Sequence, residues 1–296
     1  MKIIILGYTG LVGNGILEYL AQRTSYDLVC VGRNIINKPY RSMKIRYFKW
    51  DFVSFEKLNL FFDKNLSIVI NCVGKSTNVD NNSQKINEIF VKYLIDHLNG
   101  LKSKVRLIHL SSVSVYGGAR EYLGLKKFIS ENSPIRAKSA YSRSKFNADL
   151  YIQNNVNKRI NKKLSYSILR ISNIIGDKKQ SNLYKFVTFS LKNNFWIRCY
   201  ENTIFNFIDI KDVTKAIILI ISKLKISENK LYIVSDDIDQ KLIYENYQKI
   251  HKKKIINIKI PFKLVRFLTY FPMPKKLTNF ISLISTRVSY NNNKIK

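Results

Sequence analysis

The sequence predicts an α/β protein, a doubly wound parallel sheet followed by a small C-terminal lobe, and three observations carry that prediction. Short β-branched runs alternate with amphipathic helical stretches through the first half of the 296 residues. The first of these runs passes through a glycine turn directly into a helical pattern. Beyond residue 169 the alternation loosens, yet no Pro/Gly/Ser linker intervenes and nothing repeats internally.

Residues 3–6, Ile-Ile-Ile-Leu, are apolar throughout, as a strand buried on both faces must be. Helical spacing follows over 11–22, then strands at 28–31 and 45–48, a helical pattern at 55–63 and a strand at 68–72. A helix over 84–98, a strand over 105–111 and a helix over 141–155 continue the alternation. Strands joined by such helices run parallel through right-handed crossovers, which winds the sheet in both directions. The looser remainder reads as strand 165–169, helix 183–192, strands 196–199 and 205–208, and helix 213–224. Strand 231–234 and helices 242–250 and 262–271 complete it, and these C-terminal segments are expected to form a lobe over the open edge of the sheet.

Composition narrows the function classes. With 46% hydrophobic and 12% aromatic residues the chain buries a substantial core, which excludes disordered and low-complexity classes. The opening apolar run stops at Gly7, too short for a signal-peptide core, and no stretch approaches the ~18 apolar residues of a membrane span. Three scattered cysteines suggest no disulfide framework, and a cytoplasmic location is expected. The net charge is +31, but Lys far outnumbers Arg and Asn and Ile are abundant too, as coding bias alone would produce. No helix-turn-helix, zinc-finger or RNA-recognition signature accompanies it, so nucleic acid is not an expected partner. One asymmetry outlasts this discount: after Glu245 there is no acidic residue, while a dozen cations run from Lys249 to Lys296.

Gly7-Tyr8-Thr9-Gly10-Leu11-Val12-Gly13 lies where the first strand ends and the first helix begins. In that setting Gly7 permits the tight turn, Gly10 lets the backbone approach a pyrophosphate, and Gly13 lets helix and strand pack closely. The helix N-terminus at Leu11 and Val12 supplies N–H donors, so Gly7, Thr9, Gly10, Leu11, Val12 and Gly13 are candidate dinucleotide contacts. The second strand ends Val31-Gly32-Arg33-Asn34. A carboxylate there would hold a ribose 2′-hydroxyl; its absence, with Arg33 present, leans the cofactor to NADP over NAD.

Tyr-x-x-x-Lys occurs four times, as Tyr40/Lys44, Tyr122/Lys126, Tyr141/Lys145 and Tyr290/Lys294, and is uninformative alone in so Tyr- and Lys-rich a chain. Context selects Tyr141/Lys145, which opens a good helical stretch where residues four apart share a face. It follows the fifth strand, whose end reads His109-Leu110-Ser111-Ser112-Val113-Ser114. Ligands of open parallel sheets lie beyond the strands' carboxyl ends, which brings Ser112 and Tyr141 to one crevice. A phenol near pKa ~10 is a poor base at neutral pH, but a neighbouring ammonium lowers it by about one to three pH units. Ser112, Tyr141 and Lys145 are therefore the candidate catalytic set for moving a hydride and a proton. His97, His109 and His251 lie apart and no C-x-x-C occurs, so no metal is expected, and no G-x-S-x-G elbow or P-loop is present.

Gly7-x-x-Gly10-x-x-Gly13, Asn71-Cys72-Val73-Gly74, Ser112, Tyr141-x-x-x-Lys145, the run Leu169 to Gly176 and Phe207-Ile208-Asp209-Ile210-Lys211-Asp212-Val213 together resemble the extended short-chain dehydrogenase/reductase family, nearest its NAD-dependent epimerase/dehydratase group of sugar enzymes. The resemblance covers about residues 1–235. It implies a Rossmann domain over 1–170 plus about 205–235, and a substrate lobe over about 171–204 and 236–296. It implies further that Ser112, Tyr141 and Lys145 are catalytic and that Asp51 and Phe52 meet the adenine. Cys72, Val73 and Gly74 would line the cofactor, and Lys75, Ser112 and Asn173 the substrate. Val113 and Ser114 stand where 4,6-dehydratases of the family carry an Asp-Glu pair, which argues against dehydration. Phe205 replaces an Arg that clamps a diphosphate in many members, leaving Arg198, Lys178 or Lys179 as substitutes.

The function expected is an epimerase transferring hydride at C4 of an activated sugar, with an NADPH-dependent 4-ketoreductase or a non-catalytic dinucleotide-binding regulator as alternatives. Its partner would be a sugar nucleotide or a polyprenyl-diphosphate-linked sugar, and a homodimer is a candidate assembly. Leu264, Phe267, Leu268 and Phe271 fall on one helical stripe among cations, and this stripe either packs on the lobe or meets an anionic membrane surface.

Overall fold

The computed structural model describes residues 1–23, 26–36, 40, 44–56, 61–62, 66–75, 84–117, 122, 125–157, 163–176, 182–199, 202–268 and 270–295. The chain divides into two compact units. The first comprises Met1–Val115, Ala137–Ile171 and Ile210–Tyr232; the second comprises Tyr116–Arg136, Ser172–Asp209 and Ile233–Lys296.

The central sheet has seven strands. β1 (Lys2–Leu6), β2 (Asp27–Gly32), β3 (Ile45–Lys49), β4 (Leu66–Asn71) and β5 (Val105–Ser112) come first along the chain. After the short β6 (Lys127–Ile129) of the second unit, β7 (Leu164–Ile171) and, further on, β11 (Lys230–Val234) complete the sheet in the order β11-β7-β5-β4-β1-β2-β3. All neighbours from β7 to β3 pair in parallel. β1 and β7 are buried along their whole length; β1 accordingly reads as an apolar run after Lys2, whereas β7 buries Ser165, Ser167 and Arg170 among its apolar residues. The order reverses at β1, whose neighbours are β2 and β4, and this reversal opens a crevice at the carboxyl ends of β1 and β4.

Helices Leu11–Arg23, Phe90–Gly100, Ala140–Asn157 and Ile210–Ser222 make the crossovers. The single helix expected over 84–98 is two pieces: a π-helical turn Lys85–Ile89 runs into Phe90–Gly100 and buries both Asn87 and Glu88. Beneath the sheet, Trp50, Phe52, Phe61 and Phe90 pack ring to ring at centroid distances of 5.0 to 5.6 Å. Burying each such ring contributes roughly 1.5–3 kcal/mol. The helical pattern at 55–63 lies largely outside the described residues.

The second unit holds three small sheets. β8 (Asn173–Ile175) and β12 (Asp236–Asp239) flank β10 (Ile204–Asp209); β9 (Phe195–Cys199) pairs with β13 (Ile256–Ile260); β6 pairs with β14 (Val288–Tyr290). That last pairing draws Tyr116–Arg136 into the second unit, although the sequence reading counts it with the first. Likewise β10 sits with β8 and β12, so the segment from Phe205 to Asp209 belongs to the second unit. Trp196, Phe205, Tyr244 and Ile255 form its core. The half-buried Asp237 carboxylate accepts hydrogen bonds from Asn206 Nδ2 (2.8 Å), Ser235 Oγ (2.8 Å) and the Tyr290 N–H, tying β14 to β10 and β12.

Candidate active site

The turn after β1 is built around two glycines. Gly7 has φ +81°, a left-handed conformation costly for any residue with a Cβ. A Cβ on Gly13 would lie 2.4 Å from Gly7 O and 2.7 Å from Tyr8 Cα, so the helix could not approach the strand as it does. At Gly10 the same atom would meet only Gly7 O, at 3.3 Å, so this side of the turn is open to a ligand. The helix Leu11–Arg23 starts here without an acidic residue in its first turn, and its first N–H groups have no intrahelical acceptors. Together these features fit a dinucleotide pyrophosphate.

Tyr8 braces the neighbouring segment. Its phenol donates to Asn34 O (3.3 Å) and accepts from Ile36 N–H (2.7 Å), holding the stretch after β2 that carries the exposed Arg33. Beyond β3 the Asp51 carboxylate accepts from Val53 N–H, Ser54 N–H and Ser54 Oγ and so shapes its own turn. Phe52 adopts φ +64° and sends its ring into the aromatic core.

Loop Cys72–Lys75, after β4, faces Gly7. Cys72 N–H donates to Leu6 O (2.9 Å), and Val73 N–H donates to Asn71 Oδ1 (3.0 Å). Asn87, presented by the π-helical turn, accepts from Lys75 N–H and donates to Lys75 O, both at 2.9 Å, and reaches Ser144 Oγ at 3.3 Å. A Cβ on Gly74 would stand 3.1 Å from Lys145 Nζ, so this loop and the Tyr141 helix are in contact range. Burial pushes the Cys72 thiol up to about 12, which leaves it unreactive at neutral pH.

Ser112 ends β5, and Tyr141 and Lys145 sit one turn apart on the helix Ala140–Asn157. The Ser112 Oγ accepts from Ser114 N–H (3.2 Å). The Lys145 ammonium is buried and donates to Leu110 O (3.0 Å). Of the four Tyr-x-x-x-Lys pairs, Tyr141/Lys145 alone among the described residues shares a helix. The expected direction of the phenol is not borne out: burial raises Tyr141 above its ordinary value, and the lowering comes from Ser112. Lys145 carries the larger change, drawn down to about 8 by burial against the opposing pull of Asp149.

Asp149, His109, Asn71 and Ser111 form a buried network around that ammonium, which sequence reasoning missed. Asp149 Oδ2 accepts from Ser111 Oγ and from Arg170 Nε, each at 2.9 Å. Because Asn71 Oδ1 is taken by Val73 N–H, its Nδ2 donates to His109 Nδ1 (3.1 Å). The His109 proton therefore sits on Nε2, 4.0 Å from Asp149 Oδ1. Burial, with Lys145 adding, holds this imidazole neutral, well below its ordinary value. The available signal was spacing: Asp149 is four residues after Lys145, on the same helical face.

Other expected residues fall elsewhere. Lys75 is half-buried at the loop after β4, whereas Asn173 lies on β8 of the second unit and donates to Asn206 O (3.0 Å). Phe205 is a core residue there, and Arg198 is buried with its guanidinium 5.9 Å from the Tyr244 ring. Lys178 and Lys179 lie outside the described residues. Among the described residues no group of three or more His, Cys, Asp or Glu is placed to hold a metal.

A model of the NAD dependent epimerase/dehydratase family matches residues 3–234. Similar solved structures include UDP-glucuronic acid 4-epimerase from Bacillus cereus in complex with NAD, at 16% identity and TM-score 0.68, covering 97% of this chain and 95% of that one. dTDP-glucose 4,6-dehydratase from Bacillus anthracis str. Ames with NAD gives 16% identity and TM-score 0.72, covering 100% and 89%. RMD from Pseudomonas aeruginosa complexed with NADPH gives 18% and TM-score 0.64, covering 88% and 87%. No curated relative matches the chain. At these identities the structural likeness carries the fold.

Proposed function

The chain belongs to the NAD dependent epimerase/dehydratase family, and from that premise we propose that it is an NAD(P)-dependent epimerase acting by hydride transfer at C4 of an activated sugar, nucleotide-linked or lipid-linked. The observation that carries this reading is the placement of Ser112 at the carboxyl end of β5 with Tyr141 and the buried Lys145 one turn apart on the helix Ala140–Asn157, Lys145 donating to Leu110 O of that strand. Val113 and Ser114 follow Ser112 where elimination of water would need an acid and a base, so the proton transfer available is to and from one oxygen.

When bound, the cofactor would supply the hydride acceptor for C4 and the donor for its return. Tyr141 would take the proton of the C4 hydroxyl and give it back to the same oxygen. Ser112 holds the same oxygen in line. Lys145 stabilises the phenolate while it is an ammonium, below about pH 8.

A second reading, a 4-ketoreductase consuming NADPH, is favoured by the exposed Arg33 directly after β2 and the lack of a carboxylate there. Nucleotide released from the purified, denatured protein and identified by mass spectrometry separates the two. Retained NAD with interconversion of UDP-hexoses or UDP-hexuronic acids supports the epimerase. Readily exchanged NADPH, with affinity lost on Arg33→Ala while NAD affinity stays, supports the reductase. Failure of the protein to bind either dinucleotide would overturn both.

A further inference from the structure

Residues 262–268 and 270–271 leave an apolar surface uncovered. In the second unit the helix Phe262–Leu268 buries Val265 against Cys199 and Ile281, with Phe262 and Met273 packed alongside. Leu264, Phe267, Leu268, Tyr270 and Phe271 are 39% to 73% exposed. The stripe read from the sequence is therefore not packed into the lobe that was its alternative partner. It is also shaped: Tyr270 N–H and Phe271 N–H donate to Phe267 O and Leu268 O, and the Phe267 and Phe271 rings meet edge-on at 5.3 Å. Soluble surfaces rarely leave so many large side chains contiguous without an occupant.

Charge selects the occupant. Lys259, Lys263 and Arg266 are exposed within and beside the apolar segment, and no acidic residue follows Glu245 to offset the dozen cations from Lys249 onward. A second copy of the chain docked on this patch would bring two such cationic segments together. An anionic lipid surface instead matches both features, since apolar side chains enter the acyl boundary while Lys and Arg meet headgroups. No helix among the described residues is long and apolar enough to cross a membrane. We propose that the face formed by Leu264, Phe267, Leu268, Tyr270 and Phe271 docks the protein peripherally on anionic phospholipid. The proposal stands whether or not the epimerase reading holds.

Flotation of the full chain with vesicles of phosphatidylcholine, alone or with a third phosphatidylglycerol, tests it. The protein should float with the anionic vesicles, remain behind with the neutral ones, and be released as salt rises from about 0.1 to 0.5 M. Phe267→Ser with Phe271→Ser, both exposed positions, should weaken binding about tenfold or more with circular dichroism and thermal melting unchanged. Lys259→Glu with Lys263→Glu should weaken it at low salt. No flotation with anionic vesicles overturns the proposal, and so does equal flotation of the Phe double variant, which would mark non-specific adhesion of a basic chain. A concentration-dependent dimer by light scattering that the Phe double variant abolishes would assign the face to self-association instead.

Discussion

Asp149 shows how a residue without a place in the reaction can govern one that has it. Its buried carboxylate holds Arg170 and Ser111 directly and raises Lys145 against the burial that lowers it. Lys145 has a folded value of about 8, below its ordinary 10.5. Its protonation therefore costs the fold stability below about pH 8, a cost that fades as pH rises toward 10.5. The same titration removes the ammonium that a Tyr141 base requires, so the alkaline limb of turnover should fall near pH 8. Asp149→Asn should move that limb to lower pH, because it removes the group that keeps Lys145 charged. It should also cost about 3–5 kcal/mol by taking the carboxylate charge from the buried Arg170 ion pair. A limb unchanged in the folded variant would reduce Asp149 to a structural role. Tyr141→Phe should lower kcat by about a hundredfold or more while dinucleotide titration is unchanged, and a smaller loss would remove the base assignment. Tyr122→Phe is the comparison with the same local motif. The Tyr122 hydroxyl donates to Tyr116 O at 2.8 Å in the core, so its loss acts on stability. It should cost about 1 kcal/mol of stability and spare turnover.

Among elements, the glycine turn separates folding from binding. Gly13→Ala forces a methyl onto the Gly7 carbonyl and Tyr8 backbone, which cannot move aside as a side chain could, and should cost at least about 1–3 kcal/mol. Gly10→Ala meets little and should melt like wild type, but it should weaken NAD(P) because its Cβ enters the open side of the turn. Parallel melting and titration of the two variants checks this; a normal Gly13→Ala melt would mean that the close approach is not rigid. The same contrast explains what was legible in the sequence. The first unit was readable because β1, β2 and β4 are largely apolar runs and the helices between strands have their own periodicity. Helix Gln240–His251 was readable too, with Asp239 capping it by accepting from Lys241 N–H. β6, β8, β12 and β14 were not, since they are three or four residues long and exist through partners distant in the chain, as Lys127 with Val288. Helix Lys275–Ser285 was missed beyond two prolines, and the helix read over 262–271 ends at Leu268. In the site, Tyr141/Lys145 stood out by helical context, while the His109–Asn71 contact spans β5 and β4 and has no local signature.

At the scale of the whole molecule the dominant quantity is the net charge of +31, which sets the sign of the response to salt. A chain so far from neutrality repels itself most when compact, so self-repulsion destabilises the folded form relative to the expanded one. Salt shortens the range of that repulsion from about 30 Å at 0.01 M to about 8 Å at 0.15 M. It also weakens exposed attractions such as Lys215–Asp212 and Arg46–Asp27, but pairs of that kind contribute little. The buried Arg170–Asp149 pair is shielded from ions and should respond little. Repulsion should therefore win, and the melting temperature should rise by a few degrees between 0.01 and 0.2 M sodium chloride, since about 1 kcal/mol corresponds to roughly 2–4 °C in a chain of this size. Scanning calorimetry across that range decides the matter. A fall would show that attractive pairs outweigh the excess of cations. The salt that stabilises the protein is the salt that should release it from anionic vesicles. The two responses thus have opposite signs, and loss of lipid binding at high salt cannot be mistaken for unfolding.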